Sequence, residues 1–197
     1  MRKAVLISIR PEWVKEILSC NKSIEIRKRK PDCTTPFKCY IYCAKGGEEK
    51  WLAGVKDGRE SYKLNGTVCA EFTCDSIQRF DCPFPAYQKE VDQTILKEAC
   101  IAYVWAHLYL GHKTGYAWHI SDVKVYDKPK EVSTFYKWWR SGDDIRPCVN
   151  GKKCEHLGFD YEENCKICKI DYDGENCPFL KLSRPPQSWC YVEELLT

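Results

Sequence analysis

The 197-residue sequence lacks any run approaching the roughly 18 to 20 uninterrupted apolar residues that a membrane-spanning helix needs, because Lys, His or Gly breaks every apolar stretch within a few positions. A helical membrane protein is excluded. The start does not read as a secretory leader: Met1-Arg2-Lys3 is basic, but the apolar run Ala4 to Ile9 stops at Arg10-Pro11 with no small-residue cleavage site, so a strand is expected there instead. The expectation is a cytoplasmic protein whose residues 4–10 form a first strand. There is no internal repeat, heptad run or low-complexity tract, so solenoids and coiled coils are set aside. Nor is there a large excess of one charge, with 31 Lys and Arg against 28 Asp and Glu. The balance is uneven, however, since residues 1–45 hold 11 basic and 4 acidic side chains. Such a pole attracts phosphates and makes association salt-dependent, although Lys28, Arg29 and Lys30 equally suit a solvated strand end.

What is present, 44% hydrophobic and 30% charged residues, describes one globular domain of ordinary size with a small appendage rather than two large cores. Cysteine is abundant, at 14 residues. With a cytoplasmic location expected, and with Cys39, Cys43, Cys69, Cys74 and Cys190 inside apolar strand patterns, these thiols are expected to be reduced and to act as small buried hydrophobes.

Pro11 opens an amphipathic segment with Trp13, Val14, Ile17 and Leu18 on one stripe, a three-turn helix that should stop near Cys20-Asn21. Ser23 to Lys30 alternates, Ile24 and Ile26 on one face and Glu25, Arg27 and Arg29 on the other, as a half-buried strand does. Pro31 and Pro36 bracket a turn before a strand over 37–43. Residues 46–66 read as a loop, 67–73 as a strand, 86–100 as a helix, 129–139 as a short helix and 188–193 as a last strand. Residues 117–126 form a strand whose apolar phase slips at Asp122-Val123, the mark of a bulge. Short strands, an early helix and long connections give an α+β domain on a curled sheet or small barrel.

Lys22, Glu25 and Arg27 stand where the first helix hands over to the second strand. Two cations with a carboxylate between them can hold a phosphate while the Glu accepts from a base edge or orients the Arg, or they can form a solvated charge ladder. The segment Cys20-Asn21-Lys22-Ser23-Ile24-Glu25-Ile26-Arg27, placed after a strand and helix, resembles the GxKxxExR signature of the ASCH domain, in the PUA-like superfamily. Residues 36–43, 115–122 and 184–194 are similar to one bacterial and phage-borne branch of that family. The resemblance implies a PUA-like small β-barrel with flanking helices. It also implies a cleft beside the first helix lined by Lys22, Glu25 and Arg27, and an RNA or modified-nucleotide ligand. The family's Gly is Cys20 here, so the tight turn is expected to rest on a left-handed Asn21. Members that hydrolyse amides of acylated cytidine carry a hydroxyl residue at the position of Glu25, and the carboxylate argues against that activity. Were the protein a hydrolase on RNA or a nucleoside, Lys22 and Glu25 would be its catalytic residues; a carboxylate neighbour favours the charged Lys that binds rather than the neutral Lys that takes a proton.

Trp13, Trp118 and Trp189 fall within the resembling segments and can stack bases at roughly 1 to 3 kcal/mol each, or serve as core. Trp118 and His119 point to opposite faces of a regular strand, so His119 is a second ligand-site candidate or a structural histidine.

Residues 141–181 interrupt the domain formed by 1–140 and 182–197. Cys148, Cys154, Cys165, Cys168 and Cys177 follow one another there with His156 among them, and Cys165-x2-Cys168 has the spacing that lets two thiolates reach one ion. A segment with few large apolar groups cannot fold on its own core, and a structural zinc with bonds of about 2.3 Å to four of the five thiolates would supply that energy. Cys154, Cys165, Cys168 and Cys177 are the preferred set, with Cys148 a near-equal substitute; disulfides, a redox pair or free thiols are the alternatives. Residues 155–175 hold seven acidic and two basic side chains, so this lobe suits a protein partner rather than phosphate, and an adaptor is a third functional reading. One zinc per chain is expected in native mass spectra, lost on treatment with a strong chelator. A metal-free protein with 14 titratable thiols would remove the zinc.

Overall fold

A computed structural model of the chain describes residues 2–46, 51–53, 61–82, 92–111, 113–138 and 181–195. Strand β1 (Lys3–Ile9) is followed by helix α1 (Pro11–Leu18), β2 (Ile24–Arg27) and β3 (Phe37–Cys43). A short ribbon of β4 (Trp51–Ala53) and β5 (Ser61–Lys63) then precedes β6 (Val68–Phe80), α2 (Gln93–Glu98) and α3 (Tyr103–Leu110). The chain returns through β7 (Gly115–Lys130) and ends in β8 (Trp189–Glu193).

Six strands form one mixed sheet in the order β2-β7-β6-β3-β1-β8, with β1 and β3 parallel and the other pairs antiparallel. β1 is buried on both faces, as its continuous apolar run requires. Val5, Ile7 and Ile9 pack with Val14 and Ile17 of α1 around Trp118 and Phe72. Ala4 and Leu6 pack on the other face with Tyr40, Phe135, Leu182 and Val192. A third cluster joins Ile24 and Ile26 to Ile95, Leu96, Ala106 and Leu110 of α2 and α3. Each fully buried Leu or Ile contributes about 1.5–3 kcal/mol.

The barrel expected from the resemblance is not closed: among the described residues β2 and β8 are the two edges of an open, curled sheet. The curl comes from β6 and β7, whose pairing shifts register between Val68 and Ala70, Glu71 and Thr73, and Cys74 and Ile77. Asp122, at the expected bulge, takes a left-handed φ of 48°. The residues read as a 129–139 helix instead extend β7 to Lys130 and then make one 3-10 turn over Val132–Thr134. The stretch read as a loop between 46 and 66 contains the β4-β5 ribbon, and the expected 86–100 helix is present over Gln93–Glu98, residues 83–91 lying outside the described ones. Helix α3 has no counterpart among the sequence expectations. Its octad is apolar on every side and so carries no amphipathic stripe to read.

The nine cysteines among the described residues are free. Burial pushes the thiols of Cys43, Cys69 and Cys74 up to about 12, which keeps them protonated.

At the junction of α3 and β7, a Cβ on Gly115 would lie 2.8 Å from both Leu110 Cδ1 and Phe80 Cε1. Gly115→Ala is expected to destabilise the fold by about 1–3 kcal/mol, since both neighbours are buried and cannot yield freely. Urea denaturation, read as a lower midpoint with unchanged slope, checks this.

Candidate functional site

The site begins with the way α1 ends. Cys20 takes a left-handed φ of 58°, its N–H donates to the Ile17 carbonyl, and the Asn21 N–H reaches back to Glu16. This is a Schellman stop with a cysteine where glycine is usual. The left-handed residue is therefore Cys20 itself and not Asn21, whose side chain instead donates to Glu16 Oε2 at 2.9 Å. Helix α2 ends the same way, with Cys100 at φ 53° and the Ile101 N–H on the Leu96 carbonyl. The two helix ends meet: the Ser23 N–H donates to the Glu98 carbonyl, and Lys22 Nζ donates to the Ala99 carbonyl at 2.7 Å. A cation at the C-terminal end of a helix is favoured by the carbonyls that the helix leaves unpaired.

From Lys22 the chain enters β2, which pairs antiparallel with β7 so that Glu25 faces Trp118 and Arg27 faces Tyr116. All four β2 residues are buried, which corrects the half-buried strand read from the alternation. The polar side of β2 is turned inward, and Lys22, Glu25 and Arg27 are 5%, 7% and 7% exposed. Glu25 Oε2 lies 3.4 Å from Lys22 Nζ and Glu25 Oε1 lies 2.9 Å from Arg27 Nη2, so one carboxylate serves both cations. Arg27 then leaves its own strand: Nη2 donates to the Ser8 carbonyl of β1 at 2.6 Å and Nη1 to Ser188 Oγ at 3.2 Å. The Ser8 N–H donates to the Ser188 carbonyl, so the guanidinium sits where β1 runs past the start of β8. Arg27 Nε and Trp118 Nε1 are buried with no acceptor.

Aromatic rings flank the three. Lys22 Nζ lies 5.4 Å from the centroid of the Trp13 ring. Burial raises the phenol pKa of Tyr109, and the adjacent Arg27 guanidinium opposes that rise. Trp118 is fully buried, its ring centroid 6.0 Å from both Phe37 and Trp189, so its ring belongs to the core and its N–H is the part left without a partner. His119 is half-buried and faces Ile24 across the strand pair; among the described residues it makes no hydrogen bond to the three charged residues. Ser8, Ser188, the Ala99 carbonyl and Tyr109 were not legible as partners, because they come from elements far apart in sequence. Elsewhere, a concavity of about 500 Å³ is lined by Lys3, Asp32, Phe37, Lys38 and Glu194, but its Lys38 is already paired with Glu71 and Glu194.

No family model and no curated protein matches the chain. Solved structures do match. The ASCH protein from Zymomonas mobilis aligns with a TM-score of 0.51 at 15% identity, over 97% of this chain and 88% of that one. A serine-to-alanine variant of it aligns with a TM-score of 0.51 at 15% identity, over 98% of this chain and 90% of that one. The fold is an ASCH fold. Within it, the helix ends and the sheet edges bring Lys22, Glu25 and Arg27 together. No group of three or more His, Cys, Asp or Glu among the described residues is placed to hold a metal. Cys148, Cys154, His156, Cys165, Cys168 and Cys177 lie outside the described residues. No helix among those residues is long and apolar enough to cross a membrane.

Removing the shared carboxylate leaves two buried cations facing each other. Glu25→Gln is expected to cost about 3–5 kcal/mol of stability, more than Lys22→Met, which leaves Glu25 paired with Arg27. Paired urea titrations of the two variants give the comparison, and equal costs would mean that Glu25 serves only one cation.

Proposed function

We propose that the chain binds RNA or a modified nucleotide at Lys22, Glu25 and Arg27. The observation that carries this is a surplus of positive charge and of N–H donors in a buried place. Two cations share one carboxylate, and Arg27 Nε and Trp118 Nε1 have no acceptor. A buried cation without a full complement of negative charge is costly, and an anionic, acceptor-rich ligand such as a nucleotide phosphate or base edge relieves that cost. The ASCH fold, which is associated with RNA binding and hydrolysis, supports the same ligand class.

Binding is preferred over catalysis because Lys22 Nζ is already engaged, donating to the Ala99 carbonyl and lying 3.4 Å from the Glu25 carboxylate. In this reading Lys22 and Arg27 neutralise phosphate, Glu25 orients both of them, and Trp13 offers a ring beside Lys22. For residues 141–181 the proposal is a structural zinc on four of the five cysteines, carried by their spacing, with the acidic lobe turned to a protein partner.

Fluorescence anisotropy with a labelled single-stranded RNA tests the site. Lys22→Met is expected to weaken binding at least about tenfold and to reduce the salt slope by about 0.7, with a melting temperature that still reports a folded protein. Unchanged affinity would remove the site. Product formation lost in Lys22→Met would replace binding with hydrolysis.

A further inference from the structure

Helix α3 (Tyr103–Leu110) contains no Lys, Arg, Asp or Glu. Ala106, His107 and Leu110 bury its inner side against β2 and α2. Its outer side consists of Val104, Trp105, Leu108 and Tyr109, which are 57%, 65%, 62% and 39% exposed, and these are the large hydrophobics that stand exposed among the described residues. Their spacing places them on one stripe. The stripe is continuous with the charged site, since Tyr109 lies beside Arg27 and Lys28 Nζ is 5.1 Å from the Tyr109 ring centroid. Lys28, Arg29 and Lys30 follow at once on the surface, and no described carboxylate pairs with them.

We propose that the α3 stripe extends the nucleotide site: when the ligand is a single-stranded RNA, nucleotides flanking the one at Lys22 and Arg27 stack on Trp105 and Tyr109, and Lys28, Arg29 and Lys30 take their phosphates. This rests on the reading of the charged site as a nucleotide site and names its ligand as a single strand. Only unpaired bases offer free faces to exposed rings, because duplex bases are already stacked on each other. Cations bordering aromatic rings complement an anionic strand. They oppose self-association through α3, because a two-fold interface would bring the same cations of two copies to one seam.

The test measures the intact protein against fluorescein-labelled decauridylate and against uridine monophosphate. Trp105→Ala, an exposed position, is expected to weaken decauridylate about tenfold while leaving the monophosphate unchanged. Trp105→Tyr should stay within about twofold of wild type, and Lys28→Gln should flatten the salt dependence. Decauridylate binding that survives Trp105→Ala overturns this proposal and leaves the charged site standing. Binding of neither probe by the wild type overturns the nucleotide reading and this one with it. A dimer in sedimentation velocity that Trp105→Ala dissolves would assign α3 to self-association instead.

Discussion

Arg27 joins two parts of a sheet whose backbones do not meet. β2 is one edge, β8 is the other, and β1 extends past the start of β8, leaving the Ser8 carbonyl open to a donor. The guanidinium can fill that role because its planar fork presents several N–H groups in fixed directions, so it can reach a carbonyl, a hydroxyl and a carboxylate at once. The curl of β6 and β7 brings the edges near each other, and Arg27 together with Glu25 spans what remains. A lysine at this position would supply the charge without the geometry. Glu25 and Arg27 thus link the two edges of the open sheet through side chains, and the stability of the fold and the charge of the candidate site rest on the same ion pairs.

Lys22 depends on a different constraint. Two short helices end in the same Schellman arrangement, each with a cysteine in the left-handed conformation, and the carbonyl end of the second, at Ala99, receives the Lys22 ammonium that follows the first. A non-glycine residue there costs on the order of 1–2 kcal/mol, and at both ends the strain falls on the residues that aim the site. The α1 stop directs Lys22 inward, and the α2 stop places the Ala99 carbonyl to receive it. Burial of the charge is tolerated because helix end, carboxylate and aromatic ring each offset part of its desolvation.

Helix α3 links this buried site to the surface. Its inner side completes the cluster behind β2, and Gly115 keeps the β7 start close enough for Leu110 to pack there. Its outer side presents rings beside the basic strand end, so the positive pole of the first 45 residues has a location: part of it is buried in the ion pairs and part stands exposed at Lys28 to Lys30. An octad without charged residues and with no amphipathic stripe is unusual for a surface helix, and this is the feature on which the proposed single-strand contact rests.

Local patterning alone determined β1, α1, β3, β8 and the bulge at Asp122, because apolar periodicity and Pro11 at a helix start are written within a few positions of one another; the three candidate site residues stood out by their resemblance to the ASCH signature. Local patterning misjudged β2, where alternation of Ile with Glu and Arg has the same pattern whether the polar side faces water or buried ion pairs. It also missed α3, whose sequence holds no periodic contrast. Tertiary structure alone decided that the sheet stays open, that Arg27 reaches Ser8 and Ser188, and that Lys22 meets the Ala99 carbonyl. Each of these depends on groups 19 to 161 residues apart in the chain. No local pattern encodes such approaches; they follow from the curl of two long strands and from the need of buried charges to find partners.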